Sequence, residues 1–150
     1  MKNEQMDYVA FRINKLADLD IFKNTRKREY IEARSLFCFI CYKFYNKNYS
    51  QIALYLKNKG KSSDHATVLH ALKGYEIYSK YNTKLNIWLD EILNCDENLD
   101  RNQKLELMFH KIKQLKDNNL NILSNSLNDV YTSEIEQEQI QEYINETTES

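Results

Sequence analysis

Proline is absent from this chain, and only two glycines, Gly60 and Gly74, occur in its 150 residues. Sheet proteins need many tight turns, and tight turns draw on glycine and proline. A chain this poor in both is expected to form long helices joined by a few polar breaks. The same scarcity removes glycine-rich phosphate loops, and no G-x-x-x-x-G-K-[ST] pattern is present. Apolar residues make up 42%, enough for a packed core, and the length suits one domain with modest appendages.

Apolar spacing places the helices. Met6, Val9, Ile13 and Leu16 recur at helical intervals and predict a helix over residues 4–19. Asp20 to Asn24 reads as a loop, with Thr25 as N-cap of a helix over about 26–46. In that helix Tyr30, Ala33, Phe37, Ile40, Cys41 and Phe44 form a stripe that Leu36 and Phe39 widen, so it should be buried on more than one side. A short helix over 50–58 follows. Gly60 is suited to end it, and Ser63 or Asp64 to cap the next, from about Asp64 to Lys80. Further helices are expected over 83–93 and 101–120. Residues 121–150 are rich in Asn, Gln, Ser and Glu and carry seven acidic and no basic residues. They read as a disordered or weakly helical tail.

Charge is unevenly spread. Residues 1–94 carry sixteen Lys and Arg against ten Asp and Glu; residues 95–150 carry five against twelve. The basic excess is densest between Lys23 and Lys61, a pattern that suits a polyanionic partner. No stretch is apolar and long enough to span a bilayer, and the first residues lack a signal-peptide core. The odd cysteine count argues against a disulfide framework. A cytoplasmic protein is expected.

Two short helices joined by a turn, the second opening on a polar cap, follow the helix-turn-helix plan. At 100° per residue, Val68, Ala71, Leu72 and Tyr75 fall on one face of the second helix, which must pack inward. The opposite face holds Ala66, His70, Lys73 and Gly74, flanked by Thr67 and Leu69. It carries no acid. Small residues near its start let the backbone approach a groove, and Thr, His and Ala can meet base edges and thymine methyls.

Here the chain resembles a known family. DHATVLHA, residues 64–71, is similar to the Asp-His-Thr/Ser-Thr-Val-hydrophobic-His-Ala signature of the C-terminal helix-turn-helix domain of the bacterial replication initiator DnaA. The resemblance extends upstream through REYIEARSLFCFICYKF and NYSQIALYL and covers roughly residues 25–80. It implies major-groove reading by Asp64, His65, Ala66, Thr67 and His70, with Asp64 able to accept from a cytosine amino group besides capping. It implies a minor-groove arginine at Arg26, with Arg28 beside it. Tyr49 and Ser50 fall where the family touches DNA, and Lys43 and Lys73 where phosphates would lie. Three departures stand out: Ala66 replaces a hydroxyl residue, the turn from Lys57 to Ser63 is longer than usual, and the long helix lacks its preceding proline. The family's ATPase module has no counterpart in the sequence, so the chain is expected to act without it.

Other motifs have plainer readings. Cys38-x-x-Cys41 has metal-site spacing but lies mid-helix among apolar residues, so core packing is expected. His65 and His70 are five apart and cannot share a metal as an i, i+4 pair would. Trp88 and Tyr75 read as core.

The expected fold is all-α, a helix-turn-helix core of the DnaA C-terminal or Trp-repressor-like kind with a helical C-terminal extension. Its expected segments are an N-terminal helix and loop (1–24), the DNA-binding domain (25–94), a linker and extra helix (95–120) and the acidic tail (121–150). The expected function is sequence-specific binding of double-stranded DNA, in replication initiation or its control, without catalysis, cofactor, metal or membrane. The C-terminal extension is a candidate contact for replication proteins. The alternatives are a transcriptional repressor using the same helix and a helical adaptor that docks replication machinery.

Overall fold

Seven helices follow one another, with no strand among the described residues: α1 Glu4–Ala17, α2 Arg28–Lys43, α3 Tyr49–Asn58, α4 His65–Tyr81, α5 Lys84–Asn94, α6 Arg101–Lys113 and α7 Asp117–Glu149. The computed structural model describes residues 3–149; Met1, Lys2 and Ser150, the outermost ends of the expected N-terminal and tail segments, lie outside them. The chain divides into two units, Met1–Leu107 and Met108–Ser150, so that the division falls within α6.

In the first unit α2 is the hub. It packs chiefly against α4 and also meets α1, α3 and α5, which explains its wide apolar stripe. Phe37, Leu36, Ile40 and Phe44 are fully buried around it, together with Ile13 of α1, Ile52 of α3 and Leu85, Leu89, Ile92 and Leu93 of α5. Cys38 and Cys41 lie in the same core as free thiols, and burial pushes the Cys38 thiol up to about 12. A thiol held protonated in this way is a packing residue rather than a ligand.

The tyrosines act as long struts, with the ring in the core and the hydroxyl paired at its edge. Tyr8 donates to the Ile92 carbonyl at 2.7 Å and joins α1 to α5. Tyr55 donates to Asp7 at 2.6 Å and joins α3 to α1, while its ring stacks on Phe37. Tyr75 stacks on Phe39 at 4.2 Å and donates to Asn86 at 2.9 Å. The buried carboxylate of Glu32 accepts from Arg28 and from Asn82, tying α2 to the C-terminal end of α4. A charge removed from water needs such partners.

Helix ends are closed by local chemistry. Asn48 and Gln51 form a reciprocal capping box at the start of α3, and Asp64 and Thr67 form one at the start of α4. Gly60 has φ +98°. The Lys61 N–H bonds the Leu56 carbonyl and the Gly60 N–H that of Lys57, the Schellman closure that a left-handed residue permits.

The second unit differs from expectation. Where disorder or weak helix is expected over 121–150, residues 117–149 form one helix. No glycine or proline interrupts that stretch. Its described side chains are exposed apart from Ile135, which is half-buried.

Candidate nucleic-acid interface

The site is built on α4, whose two faces are those the 100° projection gives. Val68 and Tyr75 are buried, and Ala71 and Leu72 pack partly against the core. His65, Ala66, Thr67, His70 and Lys73 are exposed on the other side. Thr67 and His70 border a cavity of about 270 Å³ between α4, α2 and the turn. Lys73 has no ion pair among the described residues.

Asp64 and Thr67 are committed to one another. Asp64 Oδ1 accepts the Thr67 backbone N–H at 2.8 Å and the Thr67 hydroxyl at 2.7 Å. These bonds hold the Asp64 carboxyl below its usual range, the Thr67 hydroxyl contributing most. A threonine hydroxyl has one proton, and here Asp64 takes it. Thr67 thus presents outward its methyl group and an acceptor oxygen, but no donor.

The loop between α1 and α2 carries Arg26, and its construction was not foreseen from sequence. Arg34 on α2 donates Nε–H to the Ile21 carbonyl at 2.7 Å and Nη1–H to that of Thr25 at 3.0 Å. Its Nη2 reaches the Lys23 carbonyl. These bonds fold residues 21–25 back against α2 as a loop. α2 begins at Arg28, not near 26, and its N-cap is Lys27 instead of Thr25, with no side-chain cap bond. Asn24 then donates to the Gly60 carbonyl at 2.9 Å, tying this loop to the helix-turn-helix turn. Arg26 is exposed on the pinned loop. Burial lowers the Lys61 ammonium, and the positive charges of Arg34 and Arg26 lower it further, which marks a local concentration of cations.

Other expected residues are differently placed. Arg28 is exposed at its tip but gives its Nε–H to Glu32 at 3.0 Å. Lys43 is paired with Glu106 at 3.0 Å, so its charge is partly met within the protein. Ser50 is exposed in the first turn of α3. Tyr49 is half-buried; its ring stacks on Tyr42 at 5.1 Å and receives the edge of His65 at 4.9 Å. Hydrogen bonding with Tyr42 raises the Tyr49 phenol. Tyr42 and Arg34 were missed because their partners lie across a turn or loop, where helical spacing does not reach. The Asn48-x-x-Gln51 cap was legible in the pattern itself.

Among the described residues no group of His, Cys, Asp and Glu could hold a metal, and no helix is long and apolar enough to cross a membrane. A family model described as the bacterial dnaA protein helix-turn-helix matches residues 10–74. The match takes in the second half of α1, all of α2 and α3, and the exposed start of α4. It stops within α4, so α5, α6 and α7 lie beyond it. No curated protein and no solved structure matches the chain. The family is one of DNA-binding domains, and residues 10–74 of this chain are similar to it.

Proposed function

We propose that the chain recognises a specific sequence in double-stranded DNA, with α4 in the major groove and Arg26 in the adjoining minor groove, at sites of the DnaA-box kind in replication initiation or its control. The observation that carries this reading is the exposed surface of α4 from His65 to Lys73, which carries no acid, beside an arginine loop tied to α2 by Arg34. His65 and His70 offer imidazole donors, and Ala66 and the Thr67 methyl suit thymine methyl groups. Asp64 caps α4 through Oδ1 and can accept from a cytosine amino group through Oδ2. Lys73 and Ser50 lie toward phosphates, with Tyr49 beside them. Arg28 and Lys43 make weaker contributions, each already sharing its charge with a glutamate.

Selection of bound sites from a random duplex library tests the reading. A recurrent short element, bound in a salt-sensitive manner, is the expected result. A protein that retards no duplex at low salt is not a DNA reader, and the adaptor alternative would then take its place.

A further inference from the structure

Within the second unit, α7 presents an exposed apolar stripe. Leu120, Leu123, Leu127 and Val130 are 39, 37, 59 and 64% exposed. Their spacing alternates three and four residues, the a/d repeat of a coiled coil. The same stretch is a poor helix former by itself, because Asn118, Asn119, Asn121, Asn125 and Asn128 interrupt it along with Ser124 and Ser126. Helices of such composition owe their stability to packing of an apolar face, so the stripe calls for a partner.

Charge identifies that partner. α7 carries eight acidic residues and no basic one, six of the acids lying at or beyond Glu134. The segment just before α7 carries Lys111, Lys113 and Lys116 and no acid after Glu106. Lys116 stands at the threshold of α7, its carbonyl accepting the Leu120 N–H at 2.9 Å. A parallel pair of α7 helices would set glutamates against glutamates. An antiparallel pair that sets Leu123 against Leu127 also sets Leu120 against Val130 and Lys116 against Glu134, each contact occurring twice by symmetry. It opposes the lysine-bearing segment to the acidic one.

We propose that α7 pairs antiparallel with α7 of a second copy of this chain, through Leu120, Leu123, Leu127 and Val130, with Lys116 facing Glu134 of the other copy. The arrangement is isologous and closes as a two-fold dimer. It stands apart from the DNA reading, and neither depends on the other.

Sedimentation equilibrium of the full chain over a wide concentration series tests it. The mass should rise from monomer to dimer. Leu123→Asn with Leu127→Asn should hold the chain monomeric and lower its helical circular dichroism, while Trp88 fluorescence, which reports the first unit, stays unchanged. Lys116→Glu and Glu134→Lys should each weaken association several-fold, and the two together in one chain should restore it. A full chain that stays monomeric throughout, as it would with the acidic tail folded onto its own basic face, overturns the proposal. So does a dimer that survives the double asparagine variant. Charge reversals that show no restoration in combination also overturn it, since a parallel pair would behave that way.

Discussion

Arg34→Lys is the substitution that most directly tests how the arginine loop is held. It keeps the charge but removes the planar fork, which an ammonium cannot reproduce. A hydrogen bond to a charged group contributes about 1.5–3 kcal/mol. The Lys23 carbonyl is exposed and water can replace its partner, so only the partly buried bonds to Ile21 and Thr25 count. Lysine can keep one of these. The expected loss of stability is therefore about 2 kcal/mol, small enough beside the usual ~5–15 kcal/mol for the domain to stay folded. In urea denaturation the midpoint should fall at unchanged slope. The freed loop should also release Arg26. On duplexes with an A·T run beside the element, Arg34→Lys should weaken binding as Arg26→Ala does. The double variant should lose little more than either single one, because both remove the same contact. Losses that add on A·T-flanked sites, or a denaturation midpoint that does not move, would refute the reasoning.

The other expectations concern single side chains. His70→Ala should cost specific binding about 1–3 kcal/mol and relax base preference; equal loss on random and selected duplexes would remove His70 from the reading face. Lys73→Ala should weaken all sequences alike and flatten the salt dependence by about one unit, measured by titration at several salt concentrations. Arg26→Lys should weaken A·T-flanked sites several-fold more than G·C-flanked ones, because the weakly hydrated guanidinium suits a narrow groove of enhanced negative potential; equal loss on both points to a phosphate contact. Asp64→Asn tests the cap through pH. The Asp64 carboxyl lies below its ordinary value, so its charge stabilises the fold above the ordinary carboxylate range, and that contribution is lost as pH falls through the lowered value. The stability gap between the native chain and Asp64→Asn should be widest near neutrality and close in acid, and a gap independent of pH contradicts the assignment.

What could be read from the sequence follows from what is local. The faces of α4 follow from 100° spacing alone, so Val68 and Tyr75 inside and His70 and Lys73 outside were legible before any coordinates. Gly60 announced its turn because a left-handed closure selects glycine. Lys43 shows the limit. The family resemblance implies a phosphate contact there, yet the carboxylate it pairs with, Glu106, stands far along the chain and no spacing predicts the pair. Arg34 is a similar case: an arginine mid-helix reads as solvated surface until the loop folds back onto it. The start of α2 was misplaced because Thr25 has cap chemistry but its hydroxyl oxygen accepts the Lys27 N–H two residues on, in the loop that Arg34 holds. In α7 the sparse isoleucines suggested a disordered or weakly helical tail, whereas residues 117–149 form one helix with no glycine or proline to break it.

A helix-turn-helix without the proline and with a longer turn has more freedom to lose, and here side chains on both flanks restrain it. Tyr42 ends the exposed edge of α2, Tyr49 opens α3 and His65 opens α4, and their rings lie in sequence against one another. Three helix ends are thereby fixed at one corner. At the opposite side of the turn, Asn24 holds the Gly60 carbonyl and Arg34 holds the loop that carries Asn24. The turn is clamped from both flanks by side chains, so its extra length need not become extra freedom. A surface ordered in advance gives up less entropy when it engages a partner. Tyr49 is the middle ring of that corner, set between Tyr42 of α2 and His65 at the start of α4.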